Sequence, residues 1–430
     1  MQDVCSAKAE ENYVEEPRRF RVLLSAFSIA PNQGSEAGVG WNTAIRLAEH
    51  HDVTVLCGDL GAGRTTEKAI LEHFRVNGAI HGLSICYVAP SAVTRALYWL
   101  CGRPGLGLLY YSAYHSWQRD AYRIASALLK QTPYDIIHQL TFASFREPGY
   151  LWRLRPQFFW GPIGGASSPP LRMVLRGGAR LVARHIANVL QKRLSRRSAM
   201  AARKAVITWV STEEDARLLR NWGARVRQQF EVGTSNIRAN ARVRTPGSPF
   251  RLVWSGLHIR RKALPLALCA MARLPQEFDI HLHIVGSGPE TQKCQALARH
   301  LQIDRLVTWH GRLDQKDAVG IMEGVHALLH TSISEGTPAV ILEALAAGLP
   351  VVCHDICGMH LAVTDECGIR VPLRNRQKSI EWFAEALLRL RDVAYYNRLS
   401  EGALQRADEL TWDNKVAQMS SEYATVIAPE

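Results

Sequence analysis

No stretch of this 430-residue chain is apolar for long enough to cross a bilayer. The most apolar long segment, Ala96 to Tyr111, contains Arg103 and Pro104 and is too short for one spanning helix. The chain's first residues carry Glu10, Glu11, Glu15 and Glu16 without an apolar run, which argues against a secretory signal. Residues 1–19 are expected to form a disordered tail. A Walker A sequence, an RNP-like aromatic strand and a zinc-finger spacing are all missing, so nothing favours nucleic acid as a partner. The nine cysteines form no paired framework, which points to a reducing compartment. Cys353, His354, Cys357 and His360 lie close together, but Cys353 ends the strand-like run begun by Val351 and Val352. A second ligand pair at zinc-site spacing is lacking, and no metal site is expected.

What is present is size, a basic balance and a βα rhythm. A net charge of +13 suits an anionic small substrate, a membrane surface or nucleic acid, and 47% hydrophobic residues suit a globular protein with sizeable cores. From Phe20, RVLLSAF reads as a buried strand, Ile29 to Gly40 as a glycine-rich loop, Trp41 to His50 as a helix and Val53 to Leu56 as the next strand. Further strands are expected at Ser84 to Val88, Asp135 to Leu140, Gln157 to Gly161 and Ala205 to Val210. A basic stretch with Pro246, Gly247 and Pro249 reads as a linker. The rhythm then restarts with strand Arg251 to Trp254, helix Leu264 to Leu274, strand His281 to Val285, helix Glu290 to His300 and strand Val307 to His310. The expected fold is α/β: two Rossmann-like, doubly wound parallel-sheet domains facing a central cleft, over residues 20–240 and 251–409, joined by a linker at 241–250. Residues 410–430 have a helical pattern beyond what the second domain needs, and are expected to cross back to the first.

The richest block is Ser334 to Val352, SEGTPAVILEALAAGLPVV. Ala327 to Leu329 reads as a buried strand, Ser334 to Pro338 as a loop, and Ala339 to Ala347 as a helix ended by Gly348 and Pro350. Glu335 thus falls in the loop and Glu343 in the helix, eight positions on. A helix N-terminus beside Gly336 and Thr337 offers unpaired N–H groups to an anionic diphosphate, with a carboxylate on each side to accept from sugar hydroxyls. The plainer alternative is a first-turn acid and a solvated face residue.

Other segments are placed to face the same cleft. The loop after the first strand contains Gly34, Gly38 and Gly40, whose small size admits a phosphate or merely a tight turn. Gly286 and Gly288 make the same offer from the second domain. Arg260, Arg261 and Lys262 follow Ser255 and Gly256, where cations neutralise charge on a departing diphosphate. His138 ends the strand YDIIH, and reads either as a cleft residue acting on a hydroxyl or as a structural hydrogen-bonding histidine.

Together these residues resemble the family 4 glycosyltransferases of GT-B fold. The resemblance rests on GSEAGVGW, His138, FFWGPIGG from Phe158, SGLHIRRKA, GSGP, HGRL from His310 and the SEGTPAVILEALAAGLPVV block, and covers nearly all of the chain after Phe20. It implies a retaining transfer from a nucleotide diphosphate sugar, with the acceptor on the N-terminal domain and no metal; the absence of any Asp-x-Asp sequence agrees. By the same resemblance Glu335 contacts the donor sugar near the reacting carbon and Glu343 the ribose. Lys262, with Arg261 or Arg260, holds the diphosphate. Gly38 lets the N-domain loop close on it, and Thr337, Pro338, Ala339 and Val340 offer backbone amides. Arg312 and Leu313 flank the base. Family members commonly carry arginine directly after the glycine matching Gly256; this chain has Leu257. A front-face mechanism is expected, in which the leaving phosphate takes the acceptor's proton and the protein acts by positioning and electrostatics.

Between Arg172 and Lys204 there are ten Arg or Lys residues and no acid. Arg172, Arg176, Arg180 and Arg184 recur every fourth position, and Val182, Ile186, Val189, Leu190 and Leu194 form an apolar stripe, making a basic amphipathic helix. It suits an anionic membrane surface and a lipid-linked acceptor, or packing on the N-domain. Aromatics at Tyr98, Trp99, Tyr110, Tyr111, Tyr114 and Trp117 suit sugar stacking, the lipid interface or the core. The expected activity is a cytoplasmic transferase of surface-polysaccharide biosynthesis, peripheral on the inner face of the membrane. A nucleotide-sugar epimerase and a degenerate non-catalytic binding protein are the alternatives.

Overall fold

The computed structural model describes residues 18–31, 35–166, 179–234, 240–244, 247, 249–336 and 338–427. Among the described residues, thirteen strands fall into two wholly parallel sheets. The first is built from β1 (Arg21–Ala26), β2 (Asp52–Gly58), β3 (Leu83–Val88), β4 (Ile136–Thr141), β5 (Gln157–Ile163), β6 (Ile207–Val210) and β7 (Val226–Gln228), in the order β3-β2-β1-β4-β5-β6-β7. The second contains β8 (Phe250–Ser255), β9 (Ile280–Val285), β10 (Val307–Gly311), β11 (Ala327–His330), β12 (Val351–His354) and β13 (Gly368–Val371), in the order β10-β9-β8-β11-β12-β13. Central strands are buried on both faces because helices cover both; β4 and β11 are buried throughout.

In each sheet the strand order reverses once, between β1 and β4 and between β8 and β11. Loops leaving adjacent strands at such a point diverge to opposite faces and open a crevice at the carboxyl ends. The loops after β8 and β11 contain Gly256 to Lys262 and Ser334 to Gly336, so the topology brings these two sequence-distant segments together.

Two features depart from the sequence reading. The glycine-rich segment is not a loop as far as Gly40: a helix runs over Ser35–His50, placing Gly38 and Gly40 inside it. A Cβ on Gly40 would lie 2.3 Å from the Ser28 carbonyl oxygen, so this glycine lets the helix pack on the strand end. The connecting segment is tied to the second domain: the Arg244 guanidinium donates to the Leu390 and Arg391 carbonyls, and Arg242 to those of Ala347 and Glu323.

The last helix, Trp412–Ile427, contributes Trp412, Val416, Met419 and Tyr423 to the first domain's core, beside Val22, Leu140, Phe159 and Trp209. Thr234 and Thr411 pair as an isolated bridge where the chain passes between the domains. Among the described residues no helix is long and apolar enough to cross a membrane.

Candidate functional site

At the second sheet's switch point, Lys262 Nζ lies 2.5 Å from Glu335 Oε1, and the Arg261 guanidinium is paired with the other Glu335 oxygen. Lys262 and Glu335 are largely buried while Arg261 is half exposed. The loops are held by backbone and hydroxyl contacts: Ile333 N–H donates to Arg261 O at 2.9 Å, and Thr331 Oγ1 and Ser332 Oγ donate to Lys262 O and Arg261 O, each at 3.1 Å. Two cations around one carboxylate leave positive charge in excess, the condition for receiving an anion.

The three consecutive cations separate in space. Arg260 turns away to Glu290, 3.5 Å off, and its side chain is 75% exposed, so Arg261 is the cation that joins Lys262. Leu257 is 58% exposed and carries no charge into the crevice.

Glycines let the floor close up. Gly256 and Gly286 have φ of 153° and 124°, and a Cβ on Gly286 would lie 2.0 Å from Gly256 O. One on Gly288 would lie 2.7 Å from His258 O. These glycines bring the ends of β8 and β9 into contact beneath Lys262, a packing requirement that is met before any ligand is considered. Ser255 ends β8 there. Gly358 does the same under the other loop: its N–H donates to Glu335 O at 3.1 Å, and its lack of a side chain admits Gly336 O.

Past Pro338, the helix Ala339–Ala346 starts without a side-chain cap, leaving first-turn N–H groups of Ala339 and Val340 at the crevice. Thr337 lies outside the described residues, as do Gly34, Arg172 and Arg176. Glu343, on the same helix, is half-buried; burial raises its carboxyl above the usual range, and among the described residues its carboxylate has no partner. A desolvated acceptor without a donor fits a ligand's hydroxyls. Arg312 is exposed after β10, and Leu313 packs partly on the core, while Gly286 N–H donates to Gly311 O at 2.6 Å.

His138 does not reach the cleft. It is fully buried, Nε2–H donates to Gly161 O at 2.6 Å, and Nδ1 accepts from Tyr423 OH at 2.6 Å. Burial lowers its pKa to about 4, so it is a neutral hydrogen-bonding residue that ties β4 to β5 and the last helix. His354 is similarly engaged, donating from Nδ1 to Ser332 O and accepting from Ser379 Oγ, each at 3.0 Å.

Two acids that sequence reasoning missed lie on the first domain's side. Glu36, in the first turn of Ser35–His50, accepts from Ala143 N–H at 2.7 Å after β4, and burial raises its pKa. Its signal was the acid inside GSEAGVG. Glu231, after β7, accepts from Ser211 Oγ at 3.1 Å; burial, with Glu36 and Asp215 near, pushes it up to about 7. A Cβ on Gly336 would be 3.6 Å from its carboxylate, so Glu231 abuts the Glu335 loop across the crevice. Nothing local in its sequence marks it.

Residues 249–392 match the family model described as glycosyl transferases group 1. The chain is 42% identical over 80 residues to the lipopolysaccharide 1,6-galactosyltransferase of Escherichia coli K12, covering 17% of this chain and 21% of that protein. It is 27% identical over 239 residues to a D-inositol 3-phosphate glycosyltransferase of Streptomyces bingchenggensis, covering 50% of this chain and 51% of that one. The chain thus spans from about a fifth to about half the length of these curated relatives. A solved structure of Anabaena HepE in complex with UDP superposes with a TM-score of 0.62 at 14% identity, covering 94% of this chain and all of that one.

Proposed function

We propose that the chain is a glycosyltransferase, a reading supported by the match of residues 249–392 to the glycosyl transferases group 1 model and by the GT-B fold. It moves a sugar from a nucleotide diphosphate sugar to a hydroxyl of a glycan or lipid-linked acceptor in surface-polysaccharide biosynthesis. The observation that carries this reading is the Lys262–Glu335–Arg261 cluster at the β8/β11 switch point, one helix N-terminus away from Glu343, which has no partner among the described residues.

In this reading Lys262 and Arg261 release Glu335 to the donor sugar and take up the diphosphate, together with the N–H groups of Ala339 and Val340. Glu343 accepts from the ribose. The C1–O bond to the diphosphate breaks as the acceptor oxygen bonds C1 from the same face, and the departing phosphate oxygen takes the acceptor's proton. The configuration at C1 is retained. Two protein cations supply the charge that the leaving group needs, so the transfer is read as metal-independent.

The acceptor side is the first domain. Helix Ala179–Leu194 exposes Ile186, Val189, Leu190 and Leu194, between 37% and 72%, on a strongly basic segment, which favours docking on an anionic membrane over packing of that stripe. The site of action is then the cytoplasmic face of a membrane. Sedimentation with anionic and neutral liposomes tests this: recovery with the anionic pellet supports it, and equal recovery in both supernatants removes it.

Incubation with a panel of nucleotide sugars and a bacterial glycolipid extract tests the activity itself. Transfer of label to the extract is expected. Epimerised donor formed without acceptor favours an epimerase, and failure of every nucleotide to bind favours a non-catalytic protein.

A further inference from the structure

A cavity of 380 Å³ opens on the first domain at the carboxyl ends of β1 and β2, outside the donor crevice. Its size falls within the range of small-molecule sites, about 300 to 1,000 Å³. Tyr98 and Tyr110, from helices Ala92–Cys101 and Leu109–Gln131, form an aromatic wall, with ring centroids 6.4 Å apart. Gly61 lies under the Tyr98 ring: a Cβ there would be 3.2 Å from it. Tyr98 is 41% exposed, so this aromatic surface is not consumed by the core.

The polar part of the lining has one sign and one role. Asp59 accepts from the Thr65 and Thr66 hydroxyls, each at 2.9 Å, from Thr66 N–H at 3.1 Å and from Tyr87 OH at 3.2 Å. With their protons committed to Asp59, the two threonine oxygens are left as acceptors. Among the described lining residues there is no lysine or arginine. The nearest cation in sequence, Arg64, is paired with Glu67 and stacked on Tyr87, 5.0 Å from its centroid. An anion here would meet Asp59 without a counter-charge, whereas a pyranose offers hydroxyl donors to the threonines and an apolar C–H face to the tyrosines.

The cavity also adjoins the first sheet's switch point. Tyr110 stacks on Phe142, whose neighbour Ala143 donates its N–H to Glu36, and Ser28 N–H donates to Thr141 Oγ1 at 3.2 Å at the first sheet's switch point.

We propose that this cavity is the acceptor subsite and that it takes an uncharged hexose unit of a glycan, not a phosphorylated polyol. The proposal rests on the glycosyl-transfer reading above. It separates two activities, named for the relatives, that act on different acceptor chemistries. Tyr98 is the specificity-determining contact.

Saturation-transfer NMR on the full-length protein with the methyl glycosides of glucose, galactose and mannose, and with D-myo-inositol 3-phosphate, tests it. Transfer to at least one neutral glycoside is expected, reduced at least fivefold in Tyr98→Ala and kept in Tyr98→Phe, with none to the inositol phosphate. No transfer to any glycoside, undiminished transfer in Tyr98→Ala, or preferential transfer to the inositol phosphate overturns it. Nucleotide-induced thermal stabilisation, measured with UDP and GDP on the same samples, shows that Tyr98→Ala is folded with an intact donor crevice. Glycoside binding by a protein that neither nucleotide stabilises overturns the donor reading and leaves the sugar subsite standing.

Discussion

Lys262 Nζ and Glu335 Oε1 stand 2.5 Å apart, joining the loop after β8 to the loop after β11, 73 positions later in the chain. Arg261 holds the other carboxylate oxygen, so Glu335 keeps a cation when either partner is removed. Lys262→Ala is therefore expected to fold. Its transfer rate, with the nucleotide sugar that the wild type uses, should fall by about a hundredfold or more, the usual loss when one preorganised donor to a developing anion is removed. Steady-state kinetics showing an unchanged kcat would remove Lys262 from the reaction.

Glu343 gives a prediction of opposite sign for stability and binding. Its carboxyl is desolvated and, among the described residues, unpartnered. Glu343→Gln removes that burden, so the ligand-free protein should melt at a higher temperature. Donor affinity should fall roughly tenfold, as a charge-assisted hydrogen bond worth about 1.5 kcal/mol is replaced by a neutral one. Calorimetric melting and titration with the nucleotide read the two effects separately, and unchanged affinity would take Glu343 out of the donor site.

Gly286 tests the floor of the crevice. With φ at 124° and a Cβ destined to lie 2.0 Å from Gly256 O, Gly286→Ala must displace the β8 loop that carries Lys262. A loss of about 2 kcal/mol or more is expected from the backbone conformation alone, with weaker nucleotide binding alongside. Urea unfolding and titration measure both; wild-type values for both would contradict the packing described for this loop.

His138 carries a pH dependence. Its native pKa is lowered to about 4 by burial, below the ordinary 6.5. Below pH 6.5 the unfolded chain binds a proton there and the native chain does not, so stability is present above 6.5 and is lost as pH falls toward 4. One such group accounts for about 3 kcal/mol across that window. His138→Asn should flatten the acid limb of a plot of unfolding free energy against pH. A limb as steep as the wild type's would show that His138 is not buried neutral.

The fold was legible because its signals are local. Buried apolar runs end in glycine or proline, helices follow, and the rhythm restarts at Arg251. β7 and β13 escaped notice: VRQ is a short, mostly exposed edge strand, and GIRV is only four residues long and includes an arginine. Glu335, Arg261 and Lys262 could be placed together because strand-end position follows from topology. The direction of His138 could not, since its partner Tyr423 lies 285 positions away on a helix from the far end of the chain. Glycines 40, 286 and 288 were read toward a phosphate, yet each first answers a clash with neighbouring backbone. Glu231 was invisible for the same reason as His138: what makes it notable is Gly336, which approaches it from the other domain.

Metal removal checks the charge argument. On the proposed reading, in which Lys262 and Arg261 face the leaving diphosphate, transfer should proceed at an undiminished rate in excess EDTA. Loss of turnover that magnesium or manganese restores would mean that the two cations do not suffice.

The central claim is that the Lys262–Glu335 crevice holds a nucleotide diphosphate, and thermal unfolding in the presence of UDP and GDP, for the wild type and Lys262→Ala, tests it most directly. One nucleotide at about a hundred times its Kd should stabilise the wild type by about 2.7 kcal/mol and the variant far less. Equal stabilisation of both proteins, or of neither by any nucleotide, would contradict the account.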